Sequence, residues 1–543
     1  MAKHSRSDSD AETEQIVSDS DDQSCASSSS LPPRKITSRR RPQKKKIKRD
    51  LDVPNDVTVA HLSLHAKSTH VIQYGDVASI RSSLLQWYAK VHTSRNMPWR
   101  KQYNPALGPD ERAQRAYEVW ISEIMLQQTQ VATVIPYYNR WMEKFPNIRD
   151  LAAASIDEVN SLWKGLGYYS RASRLLAGAQ KAAKEYNGRL PDNAKDMEAN
   201  IPGIGRYSAG AICSIAYGEN VPVLDGNVNR LLSRVLALHA PPKAKATLNI
   251  LWGAATAMVQ DLAGSTSAQY PGDVNQALIE LGSTVCKVRD PGCDACPLRT
   301  WCAAYASTRE KNSMTPEILV TDIEDLCKIC EPLIDGASVT TYPMKADKKK
   351  AREELDIVNV VEWRSGSDRQ FLLMRRPEGG LLAGLDEFPT SPNVAATSSA
   401  RQLKIPLELL SVLLHHSVSI RDAQGKPSGP QVSPSPGLRI TKVKPAGDVV
   451  HVFSHIKKTY RVQWVVLEGG ESPPELAAKR AAQKSSATAK AAGKGKGKPG
   501  KPGKTAESGG VSMWVPLDEV ATRNIGTGVL KVWNLARTLW EEQ

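Results

Sequence analysis

Four cysteines lie within one short stretch, and this feature restricts the fold more than any other. Cys286, Cys293, Cys296 and Cys302 follow the pattern C-x6-C-x2-C-x5-C. Thiolates this close together can surround one metal centre, and in a reducing compartment the spacing favours metal ligation over disulfides. A tetrahedral zinc ion and a [4Fe–4S] cluster both take four cysteine ligands, so the spacing alone leaves the metal undecided.

The stretch Val119–Val131 is predicted to form part of one buried helix that carries a polar stripe. Glu123, Gln127 and Gln130 fall at i, i+4 and i+7, on one face of an otherwise apolar helix. Burial raises the pKa of a carboxyl group, so Glu123 could hold a proton near neutral pH and act as a general acid. The alternative is a structural carboxylate paired with a buried Arg or Lys.

The region from Val77 to Ala304 has helical periodicity almost throughout and predicts an all-α domain. The predicted helices are Ile80–Val91, Ala116–Phe145, Ile156–Leu162, Arg171–Tyr186, Ser208–Tyr217, Val228–Leu238 and Leu248–Leu262. The IPGIG sequence that ends at Gly205 predicts a hairpin that opens a new helix at Arg206. Its glycines let backbone N–H groups approach an anion, and phosphate is the expected ligand.

Asp225 stands in the sequence PVLDGNVNR, in a turn directly before a predicted helix. The simplest interpretation is an N-cap, because Asp and Asn are among the residues that most often cap helix starts. The alternative is a carboxylate used in chemistry. The motif by itself favours the cap.

The net charge of +15 comes from two segments. Arg34–Arg49 has ten basic residues and no acidic one, and Lys479–Lys504 has nine and none. The rest of the chain therefore sums to about −4, by 15 − 19, so net charge does not show that the folded domains bind nucleic acid.

Residues 1–70 are predicted to be a disordered tail, because they are polar and lack apolar periodicity. Within the tail, Arg39–Arg49 is interpreted as a nuclear import signal, with a nonspecific DNA-tethering arm as the alternative. The acidic stretch Asp8–Asp22 argues against a mitochondrial presequence, although an alternative start would allow a mitochondrial isoform. No apolar run is long enough for a membrane span, so we expect a soluble intracellular protein without a membrane partner.

Alternating apolar segments after the charged stretch Lys345–Glu354 predict a second, α+β domain. Its predicted strands are Ile357–Trp363, Phe371–Met374, Val449–Phe453, Arg461–Leu467 and Met513–Val515, and its predicted helices are Ala395–Leu414 and Val529–Glu541. The expected organisation is a tail over 1–70, a helical domain over 71–305, a connector over 306–354 and the α+β domain over 355–543. The latter carries a basic low-complexity insertion at 477–510.

Six motifs in a fixed order give the chain a family resemblance. They are SEIMLQQTQV, WKGLGYYSRA, IPGIGRYSAGA, VLDGNVNR, the four-cysteine pattern and VFSH at Val452–His455. With these motifs, the chain resembles the MutY family of adenine DNA glycosylases, of the helix-hairpin-helix superfamily, from about Val77 to Trp540. The resemblance implies a monofunctional enzyme that removes adenine mispaired with 8-oxoguanine or guanine in duplex DNA.

The resemblance also implies roles for the two carboxylates. Adenine must leave the base stack before its glycosidic bond can be reached. Glu123 would protonate an adenine ring nitrogen, and Asp225, kept ionised by its helix N-terminus, would stabilise or trap the sugar cation. Tyr207 and Asn227 would orient Asp225 and the sugar.

Further residues are implied to contact DNA. Gln127 and Tyr168 would wedge into the helix beside 8-oxoguanine, Gly203 and Gly205 would hold a phosphate, and Ser454 would contact the oxidised base. The adenine pocket would be lined by Trp99, Arg100, Leu126, Val131 and Glu280.

The same resemblance implies cofactors and partners. The four clustered cysteines would bind a [4Fe–4S] cluster, and Cys327 with Cys330 would offer half of a zinc site, because some animal relatives carry zinc in this connector. The second domain resembles a Nudix fold but lacks the G-x5-E-x7-R-E box, so recognition without pyrophosphatase activity is expected. Family relatives bind a sliding clamp, mismatch-repair proteins and an abasic endonuclease, and a monomer is expected.

Two other functions compete with this interpretation. An endonuclease III-like glycosylase and lyase uses a lysine just after the hairpin arginine to form a Schiff base, whereas Tyr207 follows Arg206 in this chain. A catalytically silent damage-binding scaffold would have lost a carboxylate, and both carboxylates are present. The adenine glycosylase is therefore preferred.

Overall fold

The computed structural model describes residues 65–260, 269–309, 323–333, 338–346, 350–377, 382–394, 399–402, 404–420, 437–453, 455–477 and 511–541. Residues 1–64 of the predicted tail, which include Arg39–Arg49, lie outside these residues, as do Ser454 and nearly all of the insertion 477–510. The last residues of the predicted tail are described and include the 3-10 turn Lys67–His70. Among the described residues, no helix is long and apolar enough to cross a membrane.

Helices dominate the chain before residue 310. They are α1 Tyr74–Val91, α2 Pro109–Leu126, α3 Val131–Lys144, α4 Ile148–Ala153, α5 Ile156–Trp163, α6 Ser170–Glu185, α7 Ala194–Asn200, α8 Arg206–Ile212, α9 Gly226–Val235, α10 Lys245–Val259, α11 Pro271–Thr284 and α12 Ala303–Arg309. A π-helical turn, Cys213–Tyr217, continues α8. The predicted all-α region is confirmed.

Local sequence explains where several helices begin. Asn147 caps α4 by accepting the backbone N–H groups of Arg149 and Asp150. Ser155 and Glu158 form a reciprocal capping box at the start of α5. These side chains satisfy N–H groups that have no partner within the first helical turn.

A mixed sheet follows, with helices on both faces. Its strands are β1 Arg352–Ser365, β2 Asp368–Arg375, β3 Asp386–Glu387, β4 Thr390–Ser391, β5 Ser419–Ile420, β6 Arg439–Val452, β7 Ile456–Glu468 and β8 Ser512–Pro516; the helices are α13 Ser399–Gln402, α14 Ile405–Leu413 and α15 Thr527–Glu541. The main order is β3-β2-β1-β7-β6-β5, with β4 beside β1 and β8 beside β2. The predicted α+β class is confirmed.

The two covered faces of this sheet explain why neighbouring residues of the central strand β1 can both be apolar. Val360 packs with Phe371 and Trp533 on one face, whereas the next residue, Val361, packs with Leu410 on the other. Because α15 covers the first face and α14 the second, neither side of β1 needs to be polar. β1 and β7 pair in parallel from Arg352–Ile456 to Arg364–Glu468.

The predicted helix through residues 116–145 is wrong at its centre. α2 ends at Leu126, Gln128 adopts a left-handed φ of 55°, and Gln130 becomes the N-cap of α3. Glu123 and Gln130 therefore do not share one helical stripe. The sequence analysis also did not include α11, whose Pro271 occupies the first helical position.

By backbone contacts the chain divides into two compact units. The first holds Met1–Trp120, Leu190–Asn200 and Ile204–Asp347, and the second holds Ile121–Arg189, Ile201–Gly203 and Lys348–Gln543. Helices α3–α6 thus belong to the same unit as the C-terminal sheet. The two units are described separately below.

Candidate active site and metal centres

Arg171 in the second unit binds the end of the helix that carries Glu123. Its Nη1 atom donates to the backbone oxygens of Ile124 at 2.7 Å, Met125 at 3.1 Å and Gln127 at 2.7 Å. The last carbonyls of a helix have no partner within the helix, so a buried guanidinium can replace the missing N–H groups. This contact explains why α2 stops at Leu126. Burial lowers the pKa of Arg171 to about 10.

The same guanidinium holds the loop that presents Tyr168. Nη2 of Arg171 donates to the backbone oxygens of Leu166 at 3.4 Å and Gly167 at 3.1 Å, and the guanidinium lies 5.5 Å from the Tyr168 ring centre. Tyr168 has a left-handed φ of 49° and is 43% exposed. A large exposed aromatic residue in a strained backbone conformation suits a wedge. Arg171 contacts both Gln127 and Tyr168, and their implied role as a wedge in DNA stays a prediction.

The two hairpin glycines meet different local requirements. Gly203 has a φ of +83°, and a Cβ there would lie 2.7 Å from Cβ of Arg174, so the chain itself requires glycine. Gly205 has a φ of −102°, and a Cβ there would meet no atom within 4 Å. The fold therefore does not require glycine at 205. A ligand that approaches the backbone closely would require it.

Asp225 caps α9, as the simplest interpretation of its motif predicts. Oδ1 accepts the backbone N–H of Val228 at 2.7 Å, and Oδ2 accepts the side-chain amide of Asn227 at 2.8 Å. Burial nevertheless raises the pKa of Asp225, although Val228, Asn227 and the nearby Arg230 oppose the shift. The expectation that the helix N-terminus dominates is therefore corrected, because removal from water outweighs the donors.

Arg230 connects this capping group to the cysteine loop. Its Nη2 atom donates to Oδ1 of Asn227 at 2.9 Å and to the backbone oxygen of Gly282 at 2.7 Å. Its Nε atom donates to the backbone oxygen of Cys286 at 2.9 Å. Three hydrogen bonds thus join Cys286 to Asp225 through Arg230 and Asn227. The sequence analysis quoted Arg230 within VLDGNVNR but gave it no role.

The residues predicted to line the adenine pocket are mostly enclosed. Oε2 of Glu280 accepts hydrogen bonds from Arg100 at 2.7 Å and Arg95 at 3.3 Å, and Glu280 is only 1% exposed. Trp99 is buried in the same unit, and Tyr207 is half-buried at the start of α8. In the second unit, Leu126 and Val131 are half-buried on either side of the break between α2 and α3. Their roles stay predictions.

The four clustered cysteines line one cavity. Its walls include Cys286, Cys293, Cys296 and Cys302 together with Arg234 and Tyr305. Nη1 of Arg234 lies 3.2 Å from Sγ of Cys286, and its guanidinium also donates to the backbone oxygens of Lys287 at 2.6 Å and Val288 at 3.1 Å. A buried cation beside a thiol and hydrogen-bonded to the loop suits a site that holds thiolates.

A second potential metal site brings two cysteines to two histidines that the sequence analysis missed. Ligand atoms of His65, His70, Cys327 and Cys330 all lie within 4.8 Å of one another. Nδ1 of His70 contacts the backbone oxygen of Leu236 at 2.8 Å. Because a carbonyl only accepts, Nδ1 carries the proton and Nε2 keeps its lone pair for the cluster.

Across the described residues, this is the only group of at least three His, Cys, Asp or Glu residues that could hold a single ion. The four cysteines that line the other cavity are not among this group.

Comparisons with known proteins identify relatives by sequence. Residues 121–255 match the model of the HhH-GPD superfamily base excision DNA repair proteins. The human adenine DNA glycosylase is 40% identical over 421 residues, which cover 75% of this chain and 71% of that protein.

Solved structures also resemble part of the chain. The C-terminal domain of mouse MUTYH, solved in complex with human PCNA, is 22% identical and matches 35% of this chain and 91% of that chain, with a TM-score of 0.20. A Nudix hydrolase from M. Smegmatis is 11% identical and matches 35% of this chain and 86% of that chain, with a TM-score of 0.19.

The sequence match to the human enzyme covers 421 residues, whereas the helical region ends at Arg309. The match must therefore continue into the part of the chain that follows the helical region. The helical region that matches the HhH-GPD model and the sheet that follows it agree with the family that the motifs indicated. The chain belongs to the adenine DNA glycosylase family.

Proposed function

We propose that the protein flips adenine out of duplex DNA and removes it where it is paired with 8-oxoguanine. The observation that carries this proposal is the position of Asp225, which is hydrogen-bonded through both carboxylate oxygens at the start of α9. Such a carboxylate is fixed in orientation and removed from water. It can therefore respond to a positive charge that develops on the sugar.

The proposed chemistry uses two carboxyl groups in different roles. Glu123 protonates a ring nitrogen of the extruded adenine and so improves the leaving group. Asp225 stabilises the resulting sugar cation or forms a bond to it before water completes hydrolysis. Asn227 keeps the carboxylate in position, and Tyr207 at the start of α8 assists in orienting the sugar. The two groups must react in opposite protonation states.

Further residues are proposed to contact the rest of the duplex. Tyr168 and Gln127, both held by Arg171, are proposed to fill the space that adenine leaves. Gly203 and Gly205 bring backbone N–H groups to a phosphate. Ser454 stands between β6 and β7 and is proposed to contact the oxidised base, which makes the C-terminal sheet the lesion-recognition part of the chain.

The four cysteines Cys286, Cys293, Cys296 and Cys302 are proposed to hold a [4Fe–4S] cluster. The shared cavity and the Arg234 guanidinium beside Sγ of Cys286 support this assignment. Such a cluster would cross-link the loop that follows α11. Arg230 and Arg234 then fix that loop to α9, the helix that Asp225 caps.

Zinc is proposed for the second site, with His65, His70, Cys327 and Cys330 as a complete tetrahedral ligand set. Two imidazoles and two thiolates are a common combination for structural zinc. The backbone N–H of Cys327 also donates to the oxygen of His65 at 2.9 Å, so the two ligand pairs are joined independently of the metal. The ion would attach the connector to the segment before α1.

We also propose binding partners and a cellular location for the protein. The solved complex of mouse MUTYH with human PCNA supports a sliding clamp as a partner, and mismatch-repair proteins and an abasic endonuclease are proposed from the family resemblance. Nuclear import is proposed to depend on Arg39–Arg49.

The test is adenine release under single turnover from a duplex with adenine opposite 8-oxoguanine. We expect Glu123→Gln to lose the chemical step and Ser454→Ala to lose preference for 8-oxoguanine over guanine. A native protein that binds this duplex without releasing adenine would support the scaffold instead. Strand cleavage with a borohydride-trapped intermediate, as fast as base release, would support the endonuclease III-like alternative.

A further inference from the structure

Lys164, which follows α5, reaches a distant part of the second unit. Its Nζ atom donates to the backbone oxygens of Ala521 at 2.6 Å and Arg523 at 3.1 Å. The side chain is half-buried, and burial lowers the pKa of Lys164. Because the ammonium group donates to two carbonyls, it holds the end of α5 to the 521–523 segment.

A second contact joins the other end of α5 to the same region. The Arg375 guanidinium binds the Asp157 carboxylate through two bonds, at 2.6 and 3.2 Å, and lowers the pKa of Asp157. Nδ2 of Asn524 also donates to Oδ1 of Asp157 at 3.1 Å. Residues on β2 and in the 521–524 segment therefore hold α5 near both of its ends.

Contacts also connect the 521–524 segment with the end of β6. Ile525 is 1% exposed and bridges to Asp386, so the segment is fixed to the sheet. Gly528 in α15 packs against β6 so closely that a Cβ there would lie 3.3 Å from the His451 ring. That ring contacts the ring of Phe453 edge to face, with 4.5 Å between centres. Phe453 directly precedes Ser454.

In the other direction, Lys164 leads directly into the loop of Tyr168. Its backbone oxygen accepts a hydrogen bond from the Tyr137 hydroxyl at 2.9 Å. Gly165 follows with a φ of +98°, and Arg171 then holds the loop at Leu166 and Gly167. Movement of Lys164 would therefore move the base of the loop that presents Tyr168.

We propose that Lys164 is a positioning residue that determines lesion specificity. Through Ala521 and Arg523 it transmits engagement of the Ser454 loop to the Tyr168 loop, so that adenine is removed faster when 8-oxoguanine is opposite. This inference rests on the proposed function, and in particular on the role of Ser454. Lys164 takes no part in the chemistry, because its ammonium group is already bound to carbonyls.

The test measures single-turnover adenine release, at saturating enzyme, from duplexes with adenine opposite 8-oxoguanine and opposite guanine. Lys164→Met keeps most of the aliphatic stem and removes the donors. We expect it to lower the ratio of the two rates about 5-fold or more with an unchanged melting temperature. Lys164→Arg, which keeps donors and charge, should retain most of the ratio. Lys181→Met, a half-buried lysine on α6, is the control.

A double mutant separates this coupling from a general effect. In the Ser454→Ala background, Lys164→Met should cause no further loss of the ratio, because both changes interrupt one path. Fully additive effects, an unchanged ratio in Lys164→Met, or equal falls in both rates would overturn the inference while leaving the proposed function intact. A native protein without adenine release would overturn both, and an unchanged ratio in Ser454→Ala would overturn the lesion-recognition role and the inference that depends on it.

Discussion

The Arg230 guanidinium donates a hydrogen bond to the Asn227 side-chain oxygen at 2.9 Å, while Asn227 donates to Asp225 at 2.8 Å. Because an amide oxygen accepts and an amide nitrogen donates, Arg230 decides which end of Asn227 faces Asp225. The guanidinium also holds the backbone of Cys286. A single side chain therefore orients the proposed catalytic carboxylate and joins it to the cysteine loop.

Replacing Arg230 should impair chemistry more than binding. We expect Arg230→Met to slow single-turnover adenine release about 100-fold, because a small displacement of Asp225 misaligns it with the sugar. Affinity for the duplex should change little. Lys195→Met, at an exposed position on α7, is the control. A normal rate in Arg230→Met with a normal iron content would contradict the orienting role.

The activity should fall as the pH is lowered. Asp225 must be ionised to stabilise a cation, and burial raises its pKa above the ordinary 3.8. As pH falls through this raised value, the carboxylate gains a proton and the rate is lost. Asn227→Ala removes a donor that lowers the pKa, so the acid limb of the rate profile should move to higher pH. An acid limb in Asn227→Ala at the same or lower pH would contradict this assignment.

Removing Arg171 should cost stability as well as activity. Its guanidinium donates to five backbone oxygens. Arg171→Met leaves these buried acceptors without that donor, so we expect a loss of about 3 kcal/mol in the free energy of unfolding, measured by urea denaturation. Arg171→Lys should recover little, because one ammonium group cannot reach both α2 and the Tyr168 loop. Equal stability of Arg171→Met and the exposed control Lys184→Met would refute this.

The His/Cys site should bind one zinc ion independently of iron. We expect His70→Ala to lose zinc while iron content stays normal, measured by elemental analysis, and Co²⁺ in the native site to give the absorption of a tetrahedral ion with two thiolates. His415→Ala, at an exposed position in the second unit, is the control. Full zinc occupancy in His70→Ala would exclude His70 as a ligand.

The tail supplies a prediction outside the described residues. Deleting Arg39–Arg49 should move a fluorescent fusion of the full chain out of the nucleus, because a dense basic run is what import receptors bind. A deletion of equal length within the polar segment 5–20 is the control. An unchanged nuclear signal after the basic deletion would show that import depends on another segment.

Local motifs predicted those parts of the candidate site in which the interacting residues are close together in the sequence. Asp225 and Val228 are three residues apart, so a cap was predictable from composition. The pKa of Asp225 was not, because desolvation depends on the whole surrounding unit. The four cysteines were predictable as a group for the same local reason.

Contacts between residues that are far apart in the sequence could not be predicted from the motifs. Arg171 binds carbonyls 44–47 residues away, and the end of α2 depends on that contact as well as on helix propensity. His65 and His70 meet Cys327 and Cys330 from about 260 positions away, and no spacing rule relates them. Periodicity indicates which residues are buried, whereas the fold decides which buried groups meet.

The Arg171 clamp has a consequence for protein engineering. All five of its hydrogen bonds end on main-chain oxygens, so it imposes no requirement on the side chains of the residues that it holds. Gln127 can therefore be randomised in a library while its backbone anchor stays in place. Substitutions there should report on contacts with DNA, and altered mispair preferences can be selected without first repairing a damaged scaffold.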